Sequence, residues 1–262
     1  MSKKAVLVLQ DGLKFEGKSF GYQGSIAGEV VFNTAMTGYP ESLTDPSYRG
    51  QILVTTYPII GNYGVPTKGE QDGMLQFYES DRIQISGLVI SYYSEDYSHW
   101  NASKSLSDWM IENKIPGISG IDTRALTKHL REHGCMLGKI IIEDQNVDFF
   151  DPNENNLVAE VSVNEKQVYG DGDLRILLVD CGVKNNIIRN LLKRNTTIIR
   201  VPWDFEFSQE NYDGLFISNG PGDPTQCDIT IKNLELAFED EKPIFGICLG
   251  NQLMALASGA TT

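Results

Sequence analysis

The spacing of apolar and polar positions changes character about two thirds of the way along the chain. In the first part, short β-branched or aromatic runs alternate with turn residues. This pattern predicts strands at residues 5–9, 13–16, 29–33, 52–57, 84–92 and 135–142 and helices near 103–113 and 123–133. Asp11-Gly12 is typical of a hairpin turn, Asp122 of a helix N-cap and Gly134 of a residue just past a helix end. The first part is therefore predicted to be a mixed α+β domain, although periodicity does not give its strand order.

In the second part, continuous apolar runs alternate with amphipathic segments. Strands are predicted at 175–180, 196–201, 213–218 and 243–247, and helices at 185–193, 230–239 and 249–258. Alternating strands and helices with short connections predict a parallel sheet that is covered on both faces. In such sheets ligands bind beyond the carboxyl ends of the strands, so the residues that follow each strand are the candidates for chemistry.

An acidic stretch separates the two patterns. Residues 143–173 contain nine acidic side chains and one basic side chain, and so carry −8 of the net charge of −13. Turn residues are also frequent at 151–156 and 170–173. These features predict a first domain at 1–144, an acidic linker at 145–173 and a second domain at 174–262.

Composition excludes several classes of protein. A hydrophobic share of 41% is enough for packed cores, and 22 basic against 35 acidic residues argue against a nucleic-acid partner. No apolar run reaches the roughly 18 residues of a membrane span, so no membrane partner is expected. The four cysteines form no Cys-x-x-Cys pair, and no export signal is evident, which predicts a reduced, cytoplasmic protein.

The last predicted strand runs into Gly246-Ile247-Cys248-Leu249-Gly250-Asn251-Gln252. A sharp strand-to-helix turn would expose Cys248 at the top of the sheet. The N-terminus of the following helix favours a thiolate there, and the Leu249 N–H is then available to an oxyanion. The alternative is a buried cysteine that acts as a small apolar residue, and geometry alone leaves the two about equal.

The preceding strand ends in Ser218-Asn219-Gly220-Pro221-Gly222-Asp223-Pro224. Two glycines around a proline allow the backbone to approach a ligand closely, but an ordinary tight loop is the simpler interpretation of this motif alone. Residues 180–186, after the first strand of this part, match neither glycine-rich phosphate-binding pattern.

Taken together, the cysteine turn and the glycine loop resemble the class I (triad-type) glutamine amidotransferases. Asn251 stands where that family usually has histidine, at a position that is not its catalytic histidine. The segments 33–41, 44–51, 57–64, 120–124 and 180–189 are similar to the small chain of carbamoyl-phosphate synthase. The resemblance implies an α/β protein, with an N-terminal strand-rich α+β domain followed by an incomplete flavodoxin-like parallel-sheet amidotransferase domain.

The resemblance also implies the site residues. Cys248 would be the nucleophile, and the positions implied to contact glutamine or its oxyanion are Ser47, Gly220, Gly222, Leu249 and Gln252. For Ser47 a simple turn residue is the alternative, and for Gln252 a locally bonded residue at a helix start. Lys184 and Asn186 are interpreted as structural, and neither a metal nor a cofactor is expected on this chain.

The implied function is hydrolysis of L-glutamine to glutamate and ammonia through a Cys248 thioester. The ammonia would pass to a large chain that uses ATP and magnesium to make carbamoyl phosphate for arginine and pyrimidine biosynthesis, so a heterodimer with that chain is expected. In the family a catalytic histidine and glutamate lie well downstream of the cysteine, whereas 14 residues follow Cys248 here. We therefore expect a small chain that is incomplete at its C-terminus and inactive alone.

Two other interpretations remain open at this stage. A flavodoxin-like nucleotide or flavin module would show the same strand rhythm. A non-catalytic scaffold or assembly subunit would explain the missing base, because the three histidines, at 99, 129 and 133, all precede the acidic stretch. His129 falls on an apolar helix face and is interpreted as a packed side chain.

Overall fold

The chain forms two compact units. The computed structural model describes residues 2–143 and 145–261. The first unit consists of Met1–Gly69 with Asp81–Pro152, and the second of Glu70–Ser80 with Asn153–Thr262. Residue 144, where the sequence predicts the end of the first domain, lies outside the described residues, as do residues 1 and 262.

A closed barrel of seven strands forms the first unit. The strands are β1 (Lys4–Leu9), β2 (Lys14–Gly21), β3 (Ile26–Asn33), β4 (Gln51–Thr55), β5 (Gly87–Val89), β6 (Pro116–Ser119) and β7 (Met136–Ile142). They follow the order β1-β7-β3-β4-β5-β6-β2, and β2 pairs back onto β1. Along β1 the side chains of Ala5, Leu7 and Leu9 are fully buried and alternate with more exposed ones, as expected for a strand with one face in a core.

Three helices accompany the barrel: α1 (Tyr39–Leu43), α2 (Leu106–Glu112) and α3 (Thr123–His133). The predicted cap of α3 is present, since the Asp122 carboxylate accepts a hydrogen bond from Ala125 N at 2.9 Å. α2 is shorter than predicted because Ala102–Lys104 pairs as a strand with Val65–Pro66. A further short pair joins Ile59–Ile60 to Tyr92–Tyr93.

A five-stranded sheet organises the second unit. Its strands are β8 (Gln167–Tyr169), β9 (Leu174–Asp180), β10 (Thr196–Pro202), β11 (Gly214–Ile217) and β12 (Ile244–Gly246), in the order β8-β10-β9-β11-β12. β8 is antiparallel to its neighbour, and the other pairs are parallel. The helices are α4 (Leu157–Val161), α5 (Asn185–Leu192), α6 (Asp228–Ala237) and α7 (Leu249–Ala257).

Both faces of this sheet are covered, which confirms the predicted α/β architecture. Leu177 and Val179 of β9 pack in one core cluster with residues of α6 and α7. Leu178, which points the other way, packs in a second cluster with Ile188 of α5 and with Met74. A strand that is buried on both faces consists of a continuous run of apolar residues. For this reason β9 was predicted correctly from the sequence.

Residues 145–173, which the sequence predicts to be an acidic linker, contain regular structure. α4 and β8 both lie within this stretch, Val158 of α4 is almost fully buried, and β8 forms the edge of the sheet. The acidic residues of this stretch are mostly exposed, whereas Leu157 and Val158 of α4 are buried. The charge density therefore marks a solvated face rather than an absence of structure.

Residues 70–80 also depart from the prediction, which placed them in the first domain. They form a small hairpin of Glu70–Gln71 with Met74–Leu75 and belong to the second unit. Met74 and Tyr78 are buried there, at 5% and 2% exposure. No local pattern in the sequence reports this packing, because its partners lie about a hundred residues further along the chain.

Candidate active site

Cys248 occupies a sharp turn between β12 and α7. Its backbone has φ +50° and ψ −108°, a conformation that residues other than glycine rarely adopt, and its side chain is exposed. Gly250 N donates to Ile247 O at 2.9 Å and Gln252 N donates to Cys248 O at 3.1 Å, which closes the turn into the helix. Strained backbone of this kind is concentrated at functional sites, and here it presents the sulfur at the N-terminus of α7.

Two glycines make this turn sterically possible. A Cβ added to Gly250 would lie 2.3 Å from Ile217 O, and one added to Gly246 would lie 2.6 Å from the carbonyl carbon of Gly250. Both obstacles are backbone atoms, so no side-chain rotation relieves them. The turn is therefore crowded in the way that the sequence predicts.

The glycine loop that follows β11 packs against the start of α7. A Cβ on Gly220 would lie 2.0 Å from Cys181 O and 2.7 Å from Leu249 Cδ2. Gly222 has φ +79° in the same loop. Within the described part of the chain, the Leu249 N–H has no hydrogen-bond acceptor. A free N–H beside an exposed sulfur is the arrangement that stabilises an oxyanion in acyl transfer.

A buried carboxylate holds the neighbouring loop, residues 181–184. Asp180 is fully buried, and its Oδ2 accepts from Arg200 Nη2 at 2.7 Å and Nε at 3.0 Å. Its Oδ1 accepts from Gly182 N at 2.9 Å and from Val183 N at 2.8 Å. Sequence reasoning missed this network, although an aspartate that ends an apolar strand needs a buried partner.

The predicted site residues divide between the two units. Cys248, Gly220 and Leu249 meet at the carboxyl ends of β11 and β12, with Gly222 in the same loop and Gln252 exposed in the first turns of α7. Ser47 belongs to the first unit, where its N–H donates to Asp45 Oδ1 at 2.9 Å in a short helical turn, Pro46–Tyr48. This hydrogen bond is typical of a turn, which is the alternative interpretation of Ser47 from the sequence.

The histidines all belong to the first unit. His129 is not a packed core residue, because its Nε2 lies 2.6 Å from Asp11 Oδ2 and its side chain is 21% exposed. A backbone N–H donated to Asp11 and the contact with His129 together lower the pKa of that carboxyl. Because residues 70–80 and 153–261 contain no histidine, the second unit carries the candidate nucleophile without an imidazole base.

The other cysteines lie in different environments. Burial raises the pKa of the Cys227 thiol to about 12 and that of the Cys181 thiol well above its ordinary value. Cys135 is exposed, yet partial burial of its sulfur raises its pKa too. Cys248 is thus distinguished by its exposure at a helix N-terminus.

Neither a metal-binding cluster nor a membrane-spanning helix is found among the described residues. There, no group of three or more His, Cys, Asp or Glu side chains is arranged to hold a metal ion. No helix in the same residues has both the length and the apolar character to cross a membrane.

The sheet, the cysteine turn and the glycine loop define the second unit as an amidotransferase domain, and residues 177–262 match the sequence model of "Glutamine amidotransferase class-I". Residues 7–140 match that of "Carbamoyl-phosphate synthase small chain, CPSase domain". The chain belongs to the carbamoyl-phosphate synthase small-chain family.

Similar proteins are much longer than this chain. It is 52% identical to "Carbamoyl-phosphate synthase [ammonia], mitochondrial" of Aquarana catesbeiana, over 100% of this chain and 18% of that protein. It is 51% identical to "Multifunctional protein CAD" of Squalus acanthias, over 98% of this chain and 12% of that protein. It is 47% identical to "Multifunctional protein URA2" of Saccharomyces cerevisiae, over 98% and 13%. The chain therefore spans less than a fifth of the length of these relatives.

Proposed function

We propose that this chain supplies the glutamine-hydrolysing site of a carbamoyl-phosphate synthase. The observation that carries the proposal is the strained, exposed Cys248 at the start of α7, with the glycine loop packed against Leu249. An enzyme that attacks an amide carbonyl needs an exposed thiolate and N–H donors directed at the developing oxyanion. In this chain an exposed cysteine sulfur and the Leu249 N–H lie within one turn of helix.

The proposed reaction has two stages. Cys248 Sγ attacks the side-chain amide carbon of glutamine, and the resulting oxyanion is received by the Leu249 N–H and the N–H groups of the loop at Gly220 and Gly222. The C–N bond then breaks, ammonia leaves with an added proton, and a thioester remains. Water attacks the thioester, the C–S bond breaks, and glutamate is released as the thiol is restored.

The second unit, as the structure describes it, supplies the nucleophile but no imidazole to carry the proton. Glutamine hydrolysis needs a base that removes the thiol proton and later activates water, and histidine is the usual one. The second unit has no histidine in residues 70–80 and 153–261. We therefore assign the nucleophile and the oxyanion donors to this unit and leave the base unassigned.

The partner in the proposal is a large chain that uses ATP and magnesium. Gly12–Ser19 matches the Gly-x-x-x-x-Gly-Lys-Ser pattern, but Lys14–Gly21 is a strand of the barrel rather than a loop that leads into a helix, so phosphoryl transfer is assigned to that partner. The match to a family named as a small chain, and relatives more than five times longer, support a shared assembly. Roles in arginine and pyrimidine synthesis and a cytoplasmic location stay predictions, and one relative's printed name places that protein in mitochondria.

The alternative is a scaffold that does not hydrolyse glutamine. The printed name of one relative specifies ammonia, so similarity alone does not identify the nitrogen donor. The intact Cys248 turn favours glutamine. Replacing Cys248 by serine in the full-length protein should abolish glutamine-dependent carbamoyl phosphate formation, by about 1000-fold or more, but leave formation from free ammonia.

Cys135→Ser is the matched control, because Cys135 is also exposed but lies in the first unit. It should leave both activities unchanged. If the wild-type protein makes carbamoyl phosphate from ammonia but not from glutamine, the scaffold interpretation holds instead. Undiminished use of glutamine by Cys248→Ser would also refute the assignment of the nucleophile.

A further inference from the structure

The N-terminus of α5 is capped by a residue from a distant part of the chain. Lys184, the residue that precedes the helix, makes no side-chain capping hydrogen bond. Instead, Glu79 O accepts from Asn185 N at 2.9 Å and Glu79 Oε2 accepts from Asn186 N at 2.9 Å. The first N–H groups of a helix have no partner within it, so Glu79 satisfies two of them and places a carboxylate at the positive end of the helix dipole.

Glu79 is itself firmly held in the second unit. Asn185 Nδ2 donates to Tyr78 O at 3.2 Å, and Arg189 Nη2 donates to Tyr78 O at 2.9 Å and to Leu75 O. The Tyr78 side chain is buried beside these bonds. Residues 75–79 are therefore attached along the first half of α5 by backbone oxygens, and the capping carboxylate has little freedom to move.

The start of α5 is linked in turn to the glycine loop. Lys184 N donates to Asn219 Oδ1 at 3.4 Å, and Asn219 Nδ2 donates to Gly182 O at 2.9 Å. Asn219 is 3% exposed, and the next residue, Gly220, packs against Cys181 and Leu249. Residues 181–184 thus lie between the capped end of α5 and the loop that is proposed to bind the oxyanion.

We propose that Glu79 is a positioning residue for the glutamine site. By capping α5 it fixes where residues 181–184 lie, and through Asn219 these residues fix the glycine loop beside Cys248. The proposal rests on the glutaminase function proposed above. It predicts that losing the Glu79 carboxylate disturbs reactions that need the glutamine pocket more than reactions that need only an exposed sulfur.

Two alkylating reagents separate these effects in the full-length protein. A glutamine-like chloroketone must enter the pocket to alkylate Cys248, whereas iodoacetamide needs only access to the thiolate. A helix cap contributes about 1 kcal/mol, and at 1.4 kcal/mol per tenfold this corresponds to about fivefold. Glu79→Ala should therefore slow the chloroketone about fivefold and change the iodoacetamide rate less than twofold.

Two variants serve as controls. Glu79→Gln keeps a side-chain oxygen for Asn186 N and should restore the chloroketone rate to within about twofold of wild type. Glu70→Ala removes the same charge from an exposed position of the same hairpin and should leave both rates unchanged.

Each other outcome has a definite meaning. A wild-type protein in which the chloroketone shows no preference for Cys248 over the other cysteines would overturn the glutaminase proposal and the role of Glu79 with it. A normal wild-type preference that Glu79→Ala leaves intact would overturn the role of Glu79 alone. Equal slowing of both reagents would also overturn it, since that result indicates general unfolding.

Discussion

For Gly250→Ala, helix propensity predicts a gain in stability, whereas tertiary packing predicts a loss. Gly250 lies in the first turn of α7, where glycine costs about 1 kcal/mol relative to alanine, so Gly250→Ala would stabilise an isolated helix. In the protein the new Cβ would lie 2.3 Å from Ile217 O and 2.9 Å from Ser218 O. Overpacking costs about 1–3 kcal/mol, and an obstacle made of backbone belongs at the upper end. The expected net destabilisation is about 2 kcal/mol.

Calorimetry of the full-length protein measures this effect. For a unit of about 100 residues, 2 kcal/mol lowers Tm by roughly 8 °C or more. Asn251→Ala is the matched control, because Asn251 is exposed in the same turn and gains helix propensity without a clash. It should change stability by less than about 0.5 kcal/mol. If Gly250→Ala proves as stable as wild type or more so, the close contact between α7 and the end of β11 is wrong.

Three further variants test charges. Arg200→Met leaves the fully buried Asp180 without its cation and should lower the free energy of unfolding by about 3 kcal/mol or more, measured with denaturant. Lys166→Met, which breaks a more exposed ion pair, should lower it by less than about 1 kcal/mol. Equal losses in the two variants would contradict this reasoning. Asp11→Asn should cost less than about 0.5 kcal/mol at pH 7, because the Asp11–His129 pair is partly exposed. The pKa of Asp11 is lowered in the fold, so its contribution is present above the ordinary value of 3.8 and is lost as pH falls through the folded-state pKa. A difference from wild type that grows as pH falls below 3.8 would refute this sign.

Local patterns predicted the parts of the fold that depend on local chemistry. The cap Asp122 and the following Gly134 bracket α3 where the sequence places it, and the run that forms β9 is apolar because both of its faces are buried. The crowded turn at Cys248 was predictable for the same reason, since glycines are needed wherever backbones come into contact.

Non-local pairing was not predictable. Closure of the barrel depends on the pairing of β2 with both β1 and β6. The four-residue β6 contains Pro116 and Gly117, which are unfavourable within strands, so the sequence pattern did not predict it. His129 was assigned to an apolar face by its spacing. In the structure its ring contacts the carboxylate of Asp11, 118 residues away, and its side chain is partly exposed. In each case the deciding partner is distant in sequence, where periodicity carries no information.

The hairpin at residues 70–80 has a consequence for synthesis on the ribosome. Tyr78 is made 111 residues before Arg189, the side chain that binds its carbonyl. At about 5–20 residues per second, roughly 6–20 s separate the two. For most of that interval β9 and α5 have not been synthesised, while the barrel strands that follow Tyr78 in the sequence are being made. The nascent chain therefore carries two apolar side chains, Met74 and Tyr78, whose final packing is completed only when α5 has been made.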